Sequence, residues 1–478
     1  MSFASHIFVF YFLPIVLLVY YLIPHRSTLP RSVFLLLVSC AFYAWLSPWF
    51  VVIILFSTIF NYVLSRLMAN CRGKHRRCLL MVILVAANLG LLGFFKYAIF
   101  FQSNLNNVLK FLGADTFTVL QIVLPVGISF YTFRTLSYTI DVYRGNLPAR
   151  SLVEFACYVA FFPQLLSGPI QRYGTIDAKS EPVPAFAEQL VARTHSLSKF
   201  SYGAALFILG FAKKVLLANV VGQAADSVFA AEAPAALDAW FGVAAYSFQL
   251  YFDFSAYSEM AIGLGSMLGF ECPRNFNAPY RAYSITDFWR RWHISLSSWF
   301  RDYLYVPLSG NRKGIGRSYF NLVVVFLLCG LWHGANWTFL VWGIYHGLWL
   351  ILERLSGIKS LYWFLPRPAQ TFVTFVLVTV GWVFFRSATL ADAGRLLAAM
   401  FTASQPQGGS LLLGAIVYTP AHLVTMAICS VLVFQPVQAL DWAKTVTWWK
   451  TVILVVLFCL SLMTMFTQTF SPFLYFQF

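Results

Sequence analysis

His333 lies near the middle of 318–352, a 35-residue run with no Asp, Glu, Lys or Arg, in the local sequence Leu331-Trp332-His333-Gly334-Ala335-Asn336. An ionisable side chain in an apolar, membrane-length segment is expensive and is a functional candidate by default. A neutral imidazole can take a proton from an attacking hydroxyl near neutral pH. The structural alternative is a histidine that only hydrogen-bonds at an interface.

A second set of candidates precedes it. Residues 285–304 read ITDFWRRWHISLSSWFRDYL. On a 3.6-residue wheel, Ile285, Phe288, Trp289, Trp292, Leu296, Trp299, Phe300 and Tyr303 share one face, and Arg290, Arg291, Ser297 and Arg301 point elsewhere. Ser284 followed by Asp287 gives a capping-box-like start. The pattern predicts one amphipathic helix, interfacial or re-entrant, with His293 at the margin of the apolar stripe. The surrounding cations are Arg281, Arg290, Arg291, Arg301, Arg312, Lys313 and Arg317, against only Asp287 and Asp302. Guanidinium forks suit phosphates. The same charges also anchor a cytoplasmic face, and the two roles are compatible.

Asp253 and Glu259 sit in the apolar stretch FQLYFDFSAYSEMAIGLG, either as a buried structural pair or as tunnel lining. His346 reads as an interfacial or packing histidine. His6, His25, His75, His195 and His422 have no supporting context. The motifs G-x-S-x-G, H-E-x-x-H, the P-loop and G-x-G-x-x-G after a strand are missing. So is a His followed four residues on by Asp, and no metal site is expected.

The elements that must position these residues follow from composition. Of 478 residues, 60% are hydrophobic and 10% charged, whereas soluble domains carry about 25% charged residues. Uncharged runs cover 1–25, 32–65, 78–95, 116–133, 155–171, 318–352, 368–385, 396–440 and 451–478. A spanning helix needs about 20 apolar residues, so the longest runs hold two spans each. The expectation is an all-α polytopic membrane protein of about 11–13 tilted transmembrane and re-entrant helices, read as a single domain over 1–478 with a core at 5–355 and C-terminal spans at 368–478. As one helix the run 318–352 would reach about 52 Å, longer than a bilayer. It must bend near Gly330–Asn336, leaving His333 at a hairpin tip or at depth in a broken helix.

The net charge of +16 lies in short patches between apolar runs, which argues for positive-inside topology and anionic lipid or ligand, not nucleic acid. The patch 66–77, with Arg66, Arg72, Lys74, Arg76 and Arg77, is read as cytoplasmic. Residues 5–24 read as an uncleaved first span. The eight cysteines show no C-x-x-C pairing and read as buried thiols. The polar loop 173–198 and the turn 403–410 punctuate the chain. No soluble domain able to carry chemistry is evident, so the site is expected in or against the membrane.

Long stretches carry a resemblance. They are PVGISFYTFRTLSYTIDVYRG (125–145), FFPQLLSGPIQRY (161–173), FQLYFDFSAYSEMAIGLG (248–265), NFNAPYRAYSITDFWRRWHISLSSWFRDYLYVPLSGNRKG (275–314) and GLWHGANWTFLVWGIYHG (330–347). The chain resembles the membrane-bound O-acyltransferase family in its bacterial alginate O-acetylase branch, over roughly 5–355. The resemblance implies a ring of helices around a central channel, with His333 at the family's catalytic histidine and His293 at a second, more variable position. It implies acetyl-CoA as donor substrate, with no permanently bound cofactor. It also implies an extracytoplasmic SGNH-type acetyltransferase or other polysaccharide-modification protein as partner, and a place in the bacterial inner membrane. Ser258-Glu259 stands where that branch has Ser-Asp, and 161–173 differs at several positions. The polymer therefore stays open among alginate, cellulose and peptidoglycan.

The expected activity is transfer of acetyl from cytosolic acetyl-CoA across the membrane for O-acetylation of an extracytoplasmic polysaccharide. CoA phosphates would meet Arg281, Arg290, Arg291, Arg301, Arg312 or Lys313, with His333 as base or acyl carrier and His293 as the orienting group. The alternatives are a transporter or channel whose buried His and acids line an ion path, and a non-catalytic scaffold for an extracellular acetylase.

Overall fold

A backbone held away from water must satisfy its own hydrogen bonds, so apolar runs of membrane length become helices. The computed structural model describes residues 1–24, 27–174, 183–310, 314–357, 360–402, 408–468 and 473–474. Among the described residues the regular structure is entirely helical. The all-α polytopic membrane class read from the sequence holds.

Six described helices are long and apolar enough to cross a membrane: Pro48–Asn70, Lys74–Phe111, Leu197–Ala230, Ile315–His333, Arg367–Arg386 and Trp448–Thr467. Phe8–Leu22, Thr28–Ala44 and Pro420–Phe434 are apolar but shorter. The sequence count of 11–13 took transmembrane and re-entrant helices together, and the described helices include short ones beside these spans. The run 155–171, for instance, folds as two short helices.

The chain packs as two units, Met1–Ala204 with Ala261–Pro273, and Ala205–Met260 with Arg274–Phe478. The first holds α1 (Leu13–Leu22), α2 (Thr28–Ala44), α3 (Pro48–Asn70), α4 (Lys74–Phe111), α5 (Ile128–Arg144), α6 (Leu152–Ala160), α7 (Phe162–Leu165), α8 (Phe186–Val191) and the start of α9 (Leu197–Ala212). Here the motif 125–145 gains a physical meaning. Gly127 and Gly145 bracket α5 with φ of 81° and 115°, backbone that side chains disfavour. A Cβ on Gly127 would lie 2.6 Å from the Leu165 carbonyl oxygen. Arg134 from the same motif is buried, stacks 4.5 Å over the Tyr158 ring and donates to the Tyr158 carbonyl. Gln164 donates to Gln171 at 2.8 Å, and the Tyr158 hydroxyl donates to the Gln171 carbonyl at 3.0 Å. Both motifs thus build the interior of this unit.

The second unit follows in chain order. It contains α10 (Asn219–Ala230), α11 (Ala236–Met267, up to Met260), α12 (Ile285–Arg291), α13 (Ile294–Phe300), α14 (Ile315–His333), α15 (Trp337–Leu355), α16 (Arg367–Arg386), α17 (Leu390–Phe401), α18 (Gly408–Val417), α19 (Pro420–Phe434), α20 (Ala439–Trp442) and α21 (Trp448–Thr467). A π-helical turn, Lys213–Ala218, joins α9 to α10. From it Lys213 reaches Glu259 at 2.6 Å and Lys214 reaches Asp253 at 2.5 Å. Each acid that the sequence singled out therefore has a lysine partner, the arrangement a buried carboxylate requires.

The run 318–352 bends at residues 334–336, between α14 and α15, as its length demanded. Asn336 caps α15 by accepting from Thr338 N at 3.2 Å. Glycines let the two helices meet closely. A Cβ on Gly330 would fall 2.3 Å from the Phe339 carbonyl oxygen, and one on Gly343 would fall 2.3 Å from that of Phe326. Small residues at such contacts are how membrane helices pack without a hydrophobic drive between them.

Candidate functional site

His333 is the last residue of α14, so of the two positions left open by the sequence it takes the hairpin tip. It is not exposed there. Its relative exposure is 3%, and its ring lies 5.0 Å from Trp332, 5.1 Å from Trp342 and 5.1 Å from Phe385. Phe385 comes from α16, which covers the tip.

The amphipathic segment departs from the expected single helix. It forms α12 and α13, with a break at Trp292-His293, and continues as a π-helical turn over Arg301–Tyr305. The expected cap is present: Ser284 Oγ accepts from Asp287 N at 3.0 Å. A second anchor was not legible. Glu353 of α15 accepts from Ile285 N at 2.7 Å, Thr286 N at 2.9 Å and Thr286 Oγ1 at 2.6 Å. A carboxylate on the first turn of α12 suits its partial positive charge. From that anchor α12 runs back along α15: Trp289 meets His346 at 5.2 Å and Trp342 at 5.7 Å. The segment is buried within the unit, as a re-entrant helix is.

This course delivers His293 to the neighbourhood of His333. His293 has φ 43°, a left-handed conformation. Backbone bonds from the preceding loop hold the break, Asn277 N to the Arg291 carbonyl at 3.0 Å and Ile294 N to the Asn275 carbonyl at 2.9 Å. The sequence placed His293 at a polar–apolar margin. It is instead 1% exposed, edge-on to Phe254 at 4.7 Å and 6.1 Å from Trp332. The two imidazoles therefore flank one indole, that of Trp332.

Hydrogen bonding sets the tautomer of His293. Its Nδ1 lies 3.1 Å from Asn275 Oδ1, and that oxygen also accepts from Ser295 N at 3.3 Å and Ser295 Oγ at 2.9 Å. A backbone N–H can only donate, so the atom facing it is the amide oxygen, and Nδ1 must carry the proton. Nε2 then keeps its lone pair, the form a base or an acceptor needs.

The basic residues separate. Arg281 and Arg291 line one cavity of about 590 Å³ together with Arg367. Arg291 is also paired with Asp287 at 2.9 Å. Arg290 is exposed and does not line the cavity, and Arg301 is paired with Asp302 at 2.7 Å. Arg312 and Lys313 lie outside the described residues. His333 is not among the residues lining the cavity, and its ring is closed in by aromatic side chains.

His346 takes the packing alternative of the two read from the sequence: it is fully buried among Trp289, Trp342, Tyr345 and Trp382. The sequence reading missed Asn275, Glu353 and Arg367. Asn275 gave one signal, an amide inside the quoted motif NFNAPYR. Glu353 and Arg367 gave none beyond their charge. The eight cysteines are free thiols, four of them buried. Cys78 and Cys459 are exposed, against the expectation of burial, and Cys40 and Cys71 are intermediate; Cys78 and Cys459 lie on the membrane-length helices α4 and α21.

Two buried imidazoles, one at the α14–α15 turn and one at the α12–α13 break, thus lie on one indole. Residues 141–390 match the model of MBOAT, the membrane-bound O-acyltransferase family. The chain belongs to that family, and it is a membrane protein and an O-acyltransferase. It is 42% identical to the probable alginate O-acetylase AlgI of Pseudomonas putida, over the whole of both chains. It is 35% identical to the peptidoglycan O-acetyltransferase of Helicobacter pylori, over 83% of this chain and 79% of that one. The similarity to the teichoic acid D-alanyltransferase of Streptococcus thermophilus is 30% over 48% of this chain and 56% of the other.

Proposed function

We propose that this transferase takes acetyl from cytosolic acetyl-CoA and passes it across the bacterial inner membrane for O-acetylation of an extracytoplasmic polysaccharide, by way of an SGNH-type or other polysaccharide-modification partner. The observation that carries the reading is the placement of His333, buried at the α14–α15 turn and separated by one indole from a second imidazole of defined tautomer. Among the three polymers, an alginate-type chain is favoured by the full-length similarity to the Pseudomonas putida relative.

In the proposed step an acceptor hydroxyl oxygen attacks the thioester carbon and the C–S bond breaks. His333 takes the hydroxyl proton and returns it to the departing thiolate, or carries the acetyl group briefly before the hydroxyl attacks. His293 orients the donor carbonyl or the attacking group. Donor phosphates meet cations of the basic segment, among them Arg290 and Arg301. Because the ring of His333 is covered, Trp332, Trp342 or Phe385 must move as substrates arrive, and that exclusion of water protects the thioester from hydrolysis.

The test is a strain carrying His333→Ala in place of the wild-type chain. Loss of acetyl ester from the polymer at unchanged protein abundance is the expected result. Wild-type ester content ends the proposal and favours the scaffold reading, while uptake by proteoliposomes without any acyl donor favours a transporter.

A further inference from the structure

The cavity that holds Arg281 and Arg291 is built differently from a passage to His333. Its third cation is Arg367, at the first turn of the membrane-spanning helix α16, and its guanidinium lies 4.0 Å over the Tyr283 ring. The remaining wall includes Phe372 from α16 and Phe434 from the last turn of α19, both apolar helices. Phe372 is 66% exposed and Phe434 39% exposed. Rings so exposed on apolar helices face acyl chains in a membrane. The cavity therefore lies at helix ends, where headgroups lie, with cations on one wall and lipid-facing rings on the other.

Charge identifies the occupant. Among the described residues, of the three guanidinia only that of Arg291 has an acidic partner, Asp287, and no Asp or Glu lines the cavity. Forked guanidinium donors match phosphate oxygens. The N-terminus of the 20-residue helix α16 adds a positive dipole end at the same wall. A soluble phosphate would leave Phe372 and Phe434 with no role, whereas a phospholipid uses both walls at once. We propose that this cavity is a binding site for an anionic phospholipid, with its phosphate between Arg281, Arg291 and Arg367 and its acyl chains along Phe372 and Phe434. The site goes beyond the acetyl-transfer reading. It leaves Arg290 and Arg301, among the described cations of the basic segment, to the soluble donor.

The full-length protein is purified in mild detergent from membranes, exchanged into nanodiscs of phosphatidylcholine with a minor fraction of phosphatidylglycerol, and re-isolated. Retained phospholipid is then counted by native mass spectrometry. Wild type is expected to retain phosphatidylglycerol over phosphatidylcholine. Arg367→Gln is expected to lower that preference about fivefold, the effect of one cation near an anionic surface. Phe372→Ala, at an exposed position, is expected to weaken retention as well. Arg395→Gln, an exposed arginine on α17 outside the cavity, is expected to match wild type. Thermal melting of each variant separates misfolding from loss of the site. Equal retention by wild type and by folded Arg367→Gln overturns the proposal. So does 3′,5′-adenosine diphosphate displacing the bound species while no lipid preference exists, since the cavity then belongs to the soluble donor.

Discussion

Asn275 Oδ1 accepts from both His293 Nδ1, at 3.1 Å, and Ser295 N, at 3.3 Å, so one amide fixes both the tautomer of the imidazole and the left-handed break that presents it. Asn275 is a positioning residue. It acts through His293 and touches no substrate in this account.

Asn275→Leu is therefore expected to lower kcat roughly tenfold, the scale of one hydrogen bond lost at a buried polar group, while KM for the donor changes little. Asn275→Asp keeps an acceptor at the same place and is expected to retain more activity than Asn275→Leu. A purely structural role predicts equal losses in the two variants, paralleled by their melting temperatures. Steady-state kinetics with purified protein make the distinction.

The contact between α14 and α15 depends on the missing side chains of Gly330 and Gly343. A Cβ on Gly343 meets backbone at 2.3 Å, and backbone cannot swing aside, so Gly343→Ala should destabilise by about 1–3 kcal/mol. Gly93 of α4 has nothing within 4 Å of an added Cβ. Gly93→Ala should be neutral or stabilising by up to about 1 kcal/mol through helix propensity. Melting curves in detergent check both signs, and a Gly343→Ala protein as stable as wild type contradicts the close contact.

A pH dependence follows from the first unit. His195 Nε2 lies 3.0 Å from the Tyr20 hydroxyl, which donates to the Leu268 carbonyl at 2.8 Å. Burial, then the charges of Arg31 and Arg193, push the His195 imidazole down to about 4. The unfolded chain takes up a proton near the usual histidine value, about 6.5, while the folded chain resists until about 4. Stability from this site is complete above about pH 6.5 and is lost as pH falls towards 4. His195→Gln should flatten the melting temperature between pH 7 and pH 5. An identical slope in variant and wild type would remove His195 from the explanation.

Much of this arrangement was legible in the chain. Length alone demanded the bend that puts His333 at a turn, and the Ser284–Asp287 pattern marked the start of α12 correctly. The break at His293 was not legible, because the wheel of 285–304 is continuous. Local periodicity says nothing of a tertiary contact, and bonds from residues 275–277 override it. Arg367 was invisible for a similar reason. It follows residues 356–366 and precedes an apolar span, and only the folding of α16 against the Arg281 segment brings the guanidinia together. Asp253 and Glu259 were read as a buried pair or as tunnel lining. Their partners, Lys213 and Lys214, lie some 40 residues earlier, and no local sequence pattern ties them to the acids.

The most direct measurement is transfer of labelled acetyl from acetyl-CoA by purified protein, wild type against His333→Ala, with candidate polysaccharide acceptors and the extracytoplasmic partner present. The account predicts label on the acceptor with wild type and a loss of about 10²–10⁴-fold in His333→Ala, the range for removal of a general base, at unchanged melting temperature. Label transferred at the wild-type rate by folded His333→Ala contradicts it.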